Sequence, residues 1–597
     1  MRSFSSSVPI GSNSSRRPGR PFAMLIKKVE RPRELKWFHA GAMLYGDWGT
    51  SKAYVLGIAF ALSGHASWFF LGLMSLLVLL VGFCYMIVCR MYPDGGGVYS
   101  SVKTRSRNLA VIGAFLLIAD YVITASLSAV EAFHYLGFHQ PALSALGAIF
   151  LIGVINWVGP TKGGTISIAI ASAASLAAAI LFVSTLPHLP HVELKWPERD
   201  LGKDWSVFVG IVLALSGVEA IANMTGIMVK PVERTARRAI WPVMLEVSVL
   251  TFLLGIAMNA IPGLTGHTED MLRALGNHYI GPWYGQLISV VFGFLLLAAV
   301  NTALTGLVSI QYLLAKDREL PPFFARLNRF GMPGFSLAVA AVMPMTVLLF
   351  ESDVVGLAAL YAIGVVGAIT LNLGMCAFNT AVRLSFWERF LLIAATLILF
   401  FVEITICIQK QNALFFALTV LTAGLVLRFA AKRFAAPALP QPQVPSVNVL
   451  TVSEARELEP LYSGSFLVAL RTLNQQLLDE AVLRAKALGE NSVYLLVVED
   501  APPNPGLPAE VTPSEDSLRL LAEAEKELEK SAVTGVPLWQ IGNQPGRLIA
   551  QAAKDLGVNT VLIGASRRSA LTSLLRGDVL RTLSRRLPRG CKLVILG

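Results

Sequence analysis

Long apolar segments separated by short polar loops make up most of this chain. From about Trp37 to Arg428, apolar segments long enough to cross a bilayer recur at short intervals. Each segment predicts one transmembrane helix. Together they predict about twelve helices, near 38–64, 66–91, 109–137, 142–159, 164–187, 205–228, 240–263, 283–314, 335–351, 354–378, 389–409 and 412–431.

The pattern changes after Lys432. The segment AAPALPQPQVPS at 435–446 is a linker rich in proline and alanine. After it, short apolar segments predicted as strands, such as SVYLLVVED at 492–500, alternate with amphipathic segments predicted as helices. Strands that alternate with helices predict a parallel sheet with crossover connections.

These changes of pattern divide the chain into four predicted parts. The start is rich in Ser, Arg and Pro and lacks the apolar segment of a secretory signal peptide, which predicts a disordered cytosolic tail. The parts are a disordered tail at 1–34, an all-α transmembrane domain at 35–433, a linker at 434–460 and a cytoplasmic α/β domain at 461–597.

Composition and charge support a membrane protein and argue against nucleic-acid binding. Hydrophobic residues make up 54% of the 597 residues and charged residues only 15%, whereas a soluble domain has about a quarter charged residues. The net charge of +12 comes from Lys and Arg gathered in alternate short loops, such as 103–107 and 229–238. The positive-inside rule places these loops and both termini in the cytoplasm.

Two of the predicted helices are interrupted by glycines and a carboxylate. The first contains YGDWGTS at 45–51, and the sixth contains LSGVEAIANMTG at 215–226. Backbone that leaves a helix inside a bilayer is tolerated only where it lines a cavity or binds a ligand. Two such helices in matching positions are typical of a transporter built from an inverted repeat, with its binding site at the midplane. The alternative is that the glycines only permit close helix packing.

Charged residues inside these helices are costly and are therefore candidates for function. Asp47 and Glu219 lie in the two interrupted helices and are the best candidates. Tyr54 follows Asp47 by about two helical turns. Further oxygen ligands from other helices are Asp120, Tyr121, Thr124 and Tyr361. Such ligands favour a small hard cation. Glu219 is a candidate proton carrier, with a structural hydrogen bond as the alternative. The sequence favours interhelical polar contacts or positions near the interface for the acids Asp120, Glu131, Glu246 and Glu403.

At these residues the chain resembles a known family. YGDWGTSKAY at 45–54 resembles the GD-x-GTS-x-x-Y signature of the KUP-type bacterial potassium uptake proteins. Four further segments resemble the KimA-like importers of that family, at 91–100, 215–238, 301–321 and 360–375. The resemblance covers nearly all of the chain after about residue 35. It implies a LeuT-type fold of the amino-acid/polyamine/organocation (APC) superfamily, with a five-plus-five inverted repeat and a cytoplasmic universal-stress-like domain.

The resemblance also implies roles for individual residues. Glu219 stands at the position of proton coupling. The positions implied in potassium coordination are occupied by Asp47, Tyr54, Tyr121, Thr124, Ser216 and Tyr361. Ser216 replaces the usual Thr and keeps the hydroxyl. Lys52 replaces an apolar residue or Pro, and a Lys52 ammonium that reached Asp47 would compete with a cation. Lys52 and Asp120 are candidate modulators of cation binding at this site.

A loop near the C-terminus resembles the phosphate loop of nucleotide-binding universal stress proteins. It reads GASRRSALTSLLRGD at 564–578, where Gly564 and Gly577 match glycines of that loop. Arg567 replaces the middle Gly, and Asp578 replaces the Ser/Thr. The backbone amides of such a loop bind phosphates. The resemblance implies cyclic di-AMP as an inhibitory ligand and a homodimer formed through this domain. The alternative is a degenerate domain that only dimerises.

Three classes of function stay open on the sequence. The first is a proton-coupled potassium importer of the plasma or inner membrane, with K⁺ and H⁺ as cargo and no cofactor. The second is an amino-acid or polyamine permease on the same fold. The third is a membrane sensor that has lost transport. An enzyme is not expected, because the sequence shows no nucleophile–base or metal constellation.

Overall fold

The structure is a computed structural model that describes most of the chain. The described residues are 29–30, 33–95, 97–158, 163–192, 194–198, 200–261, 264, 267–328, 330–433, 449–457, 464–499, 510–542, 544–565 and 578–596. Most of the predicted tail and linker lie outside these ranges. Within the predicted linker, the short helix Val452–Glu457 packs against the C-terminal domain.

The part of the chain before residue 434 is helical, as the apolar segments predict. Its α-helices are α1 (Trp37–Trp48), α2 (Ser51–Ser63), α3 (Ser67–Met91), α4 (Val98–Lys103), α5 (Arg107–Tyr135), α6 (Pro141–Val158), α7 (Gly163–Thr185), α8 (Leu201–Gly210), α9 (Ala220–Met224), α10 (Val232–Ala257), α11 (Met271–Tyr279), α12 (Pro282–Lys316), α13 (Gly334–Phe350), α14 (Val354–Ala377), α15 (Phe386–Gln409) and α16 (Gln411–Arg433). Apolar residues surround most of these helices because each is buried in lipid or in its neighbours.

The number of membrane crossings agrees with the prediction once the long helical segments are divided. Within the described ranges, nine helices are long and apolar enough to cross a membrane, or ten if Leu201–Gly210 and Val212–Ile227 form one bent span. One of the nine, Trp37–Met91, is 55 residues long. It would measure about 80 Å if straight, against a hydrocarbon core of about 30 Å, so it contains two crossings. The 17-residue α13 accounts for the remaining predicted helix.

Helix α5 lies at the centre of this membrane domain and is buried on nearly all sides. It packs against α12, α14, α4 and α6. Its buried polar residues therefore face other helices instead of lipid. This position matters because α5 carries Asp120, Tyr121 and Thr124 in one turn.

A network of ion pairs connects helix ends on one face of the membrane domain. This face is here called the domain side, because α16 ends there and leads to the C-terminal domain. Glu319 has a fully buried side chain (0% exposed) and pairs with Arg107, with Arg428 at 2.5 Å and with Lys432 at 3.2 Å. Burial raises the pKa of the Glu319 carboxyl, but hydrogen bonds from Arg428 and Lys432 outweigh burial and hold this pKa below its usual value. The network joins the ends of α5, α12 and α16.

The C-terminal domain is a five-stranded parallel sheet with helices on both faces, which confirms the predicted fold class. Its strands are β2 (Phe466–Leu470), β3 (Ser492–Glu499), β5 (Thr534–Ile541), β6 (Thr560–Gly564) and β7 (Lys592–Leu596), in the order β5-β3-β2-β6-β7. Two short strands, β1 (Val29–Glu30) and β4 (Glu510–Val511), form a separate two-stranded sheet. The helices are α17 (Val452–Glu457), α18 (Gln475–Ala487), α19 (Glu515–Lys530), α20 (Pro545–Asp555) and α21 (Val579–Arg586). Separate apolar cores fill the two faces of the sheet.

The segment before α1 connects the two domains. Strand β1 pairs antiparallel with β4 of the C-terminal domain. A few residues later, the Leu35 amide donates to the Ile227 carbonyl at 3.0 Å, and the Val229 amide donates to the Leu35 carbonyl at 3.0 Å. The same short segment thus contacts the C-terminal domain and the end of the sixth predicted membrane helix.

Candidate functional site

The interruption in the first membrane helix lies where the sequence predicts it but is smaller than predicted. Helix α1 ends at Trp48 and α2 begins at Ser51. Between them, Gly49 (φ −66°, ψ −20°) and Thr50 (φ −70°, ψ −23°) keep helical backbone angles. The interruption predicted within YGDWGTS is therefore present but short: α1 and α2 are separated by two residues, and both keep helical backbone angles.

The sixth predicted helix is interrupted more strongly. After α8, a short 3₁₀ segment covers Val212–Leu215, and Ser216 then leaves the helical region with ψ 134°. Gly217 has φ +88°, a conformation that favours glycine. A Cβ on Gly217 would lie 2.7 Å from the Trp48 amide nitrogen and 2.8 Å from Cγ of Asp47. The two interrupted helices therefore meet at Asp47, as predicted, and Gly217 permits their contact.

Three buried carboxylates form the centre of this region, here called the carboxylate cluster: Asp47, Asp120 and Glu219. Each is almost fully buried. Glu219 lies within electrostatic range of both aspartates, and Asp120 lies within range of Asp47. Among the described residues, neither carboxylate oxygen of Asp47 has a hydrogen-bond partner, and one oxygen each of Asp120 and Glu219 also lacks one. The cluster therefore holds more acceptor atoms than the surrounding side chains satisfy.

The predicted hydroxyl ligands surround this cluster. The Tyr361 hydroxyl donates to the Ser216 hydroxyl, and Thr124 donates to the Asp120 carbonyl at 2.9 Å. Tyr54 lies near Asp47 and Ser216. The remaining member of the predicted set, Tyr121, lies within electrostatic range of all three acids. The structure thus brings together the six predicted cation ligands and Glu219, although their roles stay predictions.

Lys52 does not contact Asp47. It is fully buried, and its ammonium lies 2.6 Å from one Glu246 oxygen and 2.7 Å from the other. The Tyr45 hydroxyl lies 3.0 Å from the Lys52 nitrogen and donates to Glu246 at 2.8 Å. The Lys52 ammonium is therefore neutralised by Glu246 of α10, and Glu246 makes the predicted interhelical contact.

The other two acids are placed differently from each other. Glu131 is fully buried and has no hydrogen-bond partner for either oxygen within the described part of the chain, so it does not make an interhelical contact like that of Glu246. Glu403 is half-buried and has no partner for one oxygen among the described residues, and its position near the interface stays a prediction. Spacing alone did not distinguish these cases, because a partner on another helix cannot be read from one sequence.

Two residues of the site were missed by the sequence analysis. Asn223 donates to the Tyr121 hydroxyl at 3.0 Å, and Thr50 donates to the Asp47 carbonyl at 2.5 Å. Asn223 follows Glu219 by four residues within the quoted LSGVEAIANMTG motif. A spacing of one helical turn was the available signal.

A cleft leads from the domain side toward the cluster. The cleft is narrow, with a volume of about 50 Å³ that water-sized molecules can occupy. The residues that line the cleft include Gly95, Tyr99, Tyr121 and Asn223. Tyr99 belongs to the ion network, since its hydroxyl donates to Asp317 at 2.7 Å. Tyr121 and Asn223 therefore line the cleft, and Tyr121 also lies within electrostatic range of the three acids.

The predicted phosphate loop is only partly within the described residues. Gly564 ends β6, and Asp578 caps α21 by accepting from the Leu580 amide at 2.9 Å and the Arg581 amide at 3.2 Å. Arg567 and Gly577 lie outside the described residues. Gly564 is at the carboxyl edge of the central strands, near Asn474 after β2, which is where such sheets bind ligands.

Comparison with known proteins follows the same division of the chain. Residues 35–446 match the family model described as an amino acid permease, and residues 466–591 match the universal stress protein family. No curated protein matches the chain. The permease match spans more than half of the 597 residues and supports a membrane transporter instead of an enzyme. The chain therefore belongs to the amino acid permease family and carries a C-terminal domain of the universal stress protein type.

Proposed function

We propose that this transporter imports potassium together with protons. The observation that carries the proposal is the carboxylate cluster at the contact of the two interrupted helices, with both Asp47 oxygens lacking a hydrogen-bond partner among the described residues. A charged carboxylate in the membrane costs at least about 2.5 kcal/mol. The free-energy cost of three neighbouring buried carboxylates is offset only if cations neutralise their charges. A potassium ion and one or more protons supply that neutralisation during the transport cycle.

The ligands around the cluster favour potassium over a zwitterion. Hydroxyl and carboxylate oxygens are the ligands that hard cations prefer. An amino-acid substrate would instead bring its own carboxylate close to Asp47, and the repulsion would weaken binding. Lys52 does not oppose a cation, because Glu246 neutralises it.

The direction and extent of transport follow from charge. A membrane potential of about 100 mV provides about 2.3 kcal/mol for each charge that enters, or about 50-fold accumulation of a lone monovalent cation. A proton carried with each potassium ion adds a second charge, and thus about another 50-fold.

A proton-coupled amino-acid or polyamine permease is the second candidate, and the family match favours it. A polyamine is compatible with the cluster because its ammonium groups would pair with the three acids. A transport-dead membrane sensor is the third candidate, in which only the C-terminal domain would respond to a ligand.

Growth and heat stability separate these candidates. Potassium-limited growth of a strain without its own uptake systems should be restored by the wild-type chain and not by Asp47→Asn. The matched control is Glu403→Gln, which removes a half-buried membrane carboxyl outside the cluster and should still restore growth. Failed rescue with stabilisation of the purified protein by an amino acid or a polyamine would favour the permease. Failed rescue with no response to any solute, but with nucleotide binding, would favour the sensor.

Location and regulation extend the proposal. We infer that the protein lies in the plasma or inner membrane with both termini in the cytoplasm, since the basic loops share the domain side. The C-terminal domain would bind a regulatory nucleotide such as cyclic di-AMP and form a homodimer. Gly564 at the carboxyl edge of the sheet supports a phosphate site there.

A further inference from the structure

Glu131 is a buried acid that the proposed potassium site does not use. Its side chain is fully buried (0% exposed), and neither of its carboxylate oxygens has a hydrogen-bond partner within the described part of the chain. Glu246 shows what a structural acid looks like in this protein, because it pairs with both Lys52 and Tyr45. Among the described residues Glu131 has no such donor, so a purely structural role does not account for it.

Glu131 lies on the same face of α5 as the carboxylate cluster. It follows Asp120 by eleven residues, which is about three helical turns and about 16 Å along the axis. Thr124 and Ser128, at intervals of four residues, place buried hydroxyls on that face between the two acids. A stripe of polar groups therefore runs along α5 from the cluster toward the far side, meaning the membrane face opposite the domain side.

A loop with further acids covers the Glu131 end of this stripe. Glu131 lies within electrostatic range of Glu269 and Asp270. The Thr268 carbonyl packs directly on α2, since a Cβ on Gly57 would lie 1.9 Å from its oxygen. The loop is thus seated on the membrane domain and not detached from it.

Two histidines connect the loop to the solvent side. His134 lies 2.6 Å from Glu269, and its side chain is 24% exposed. His267 lies 2.9 Å from Asp270 and is also partly exposed. The groups that face or flank Glu131 are therefore Glu269 and Asp270 on the loop, and His134 and Tyr135 on its own helix, of which Tyr135 donates to the Ala53 carbonyl.

The physical consequence is a site of strong attraction for a positive charge. A buried carboxylate without a donor, facing two further acids, is stabilised by gaining a proton. The far side is also the face from which an imported proton would arrive under the proposed orientation.

We propose that Glu131 is the outer binding site for the proton that accompanies potassium. A proton from the outer solution forms an O–H bond at the Glu131 carboxylate. That O–H bond then breaks, which returns Glu131 to a carboxylate, and the proton moves past Ser128 and Thr124 to form an O–H bond at Asp120. Water molecules bridge successive hydroxyls, which rise about 6 Å from one to the next, and the Thr124 hydroxyl lies 3.4 Å from the Asp120 carboxylate. The inference rests on the proposed function and assigns its entry pathway.

The test uses the full chain in vesicles and compares Glu131→Gln with Glu403→Gln. Potassium uptake is measured at external pH values between 5.5 and 8, with heat stabilisation by potassium as a separate measure of the central site. Glu131→Gln should lower uptake at least about tenfold at acidic external pH and flatten its pH dependence. Heat stabilisation by potassium should persist in Glu131→Gln, and Glu403→Gln should behave as wild type.

Each other outcome overturns a defined claim. Wild-type uptake and pH dependence in Glu131→Gln, or an equal loss in Glu403→Gln, would refute the role of Glu131. Absence of potassium uptake in the wild type would instead refute the proposed function. If Glu131→Gln does not fold, Glu131→Asp keeps the proton-binding group in a shifted position. It should then retain uptake with a displaced pH profile, and an unchanged profile would refute the inference.

Discussion

The buried pair of Lys52 and Glu246 gives a quantitative test of how the first interrupted helix is held. The Lys52 side chain is 0% exposed and that of Glu246 is 14% exposed, with nitrogen–oxygen distances of 2.6 and 2.7 Å. Removing one partner of such a pair leaves an uncompensated buried charge. The expected loss is about 3–5 kcal/mol for either Lys52→Met or Glu246→Leu.

The double variant separates pairing from packing. Replacing both ions by apolar groups of similar volume removes both desolvation penalties and is often neutral or stabilising. Lys52→Met with Glu246→Leu should therefore recover most of the loss, leaving a coupling energy of about 3 kcal/mol or more. The free energy of unfolding is measured by titration with a denaturing detergent in mixed micelles, for the wild type, both single variants and the double variant.

The Lys52 and Glu246 substitutions should leave potassium binding at the carboxylate cluster almost unchanged. Lys52 pairs with Glu246 and not with Asp47, so the double variant should keep the half-saturation concentration of potassium uptake within about twofold. The reasoning is refuted if Lys52→Met costs less than about 1 kcal/mol, or if Glu246→Leu is as unstable with Lys52→Met as without it. Either result would mean that the ammonium has another partner.

Three further results are expected. Gly217→Ala should destabilise the protein by about 2–4 kcal/mol and abolish uptake, because the residue has φ +88° and its Cβ would overlap Asp47; normal melting of this variant in micelles would contradict the contact. Glu319→Gln should cost at least about 3 kcal/mol in the same titration, since the carboxylate is fully buried among several cations; a change below 1 kcal/mol would contradict the network. A hydrogen bond from His134 lowers the pKa of Glu269. The contact should therefore stabilise the protein fully above the unfolded pKa of Glu269, about 4.3, and its contribution should be lost as pH falls through the lower folded pKa of Glu269. Thermal melts of the wild type and of His134→Gln between pH 3 and 7 measure this contribution. Parallel dependence of the two melting temperatures on pH would contradict it.

The sequence predicted the architecture well because hydropathy and alternation are local signals. Apolar segments predicted most membrane helices to within a few residues, although the helix predicted at 240–263 is observed at Val232–Ala257, and alternating strands and helices predicted the parallel sheet. The count of about twelve crossings is reached when Leu201–Gly210 and Val212–Ile227 form one bent span, Trp37–Met91 is divided and the 17-residue α13 is included. Such features depend on short stretches of chain and not on distant partners.

The candidate site was predicted less completely because its details depend on distant partners. Asp47 and Glu219 were found from the cost of a charge in the membrane, and the structure places them together. The partner of Lys52 was not predicted, since Glu246 lies on another helix. The backbone at Gly49 stays helical despite its glycine, because glycine permits an extended conformation without requiring it.

Potassium uptake into vesicles by the wild type and Asp47→Asn tests the central claim most directly. Removing one charge about 4 Å from a cation costs about 4 kcal/mol at an effective dielectric constant of about 20, so Asp47→Asn should lower potassium uptake at least about 100-fold. Wild-type uptake should rise when a proton gradient, acidic outside, is imposed, and Lys52→Ala should respond to the gradient as the wild type does. Potassium uptake by Asp47→Asn at the wild-type rate, or wild-type uptake that ignores the proton gradient, would contradict the account.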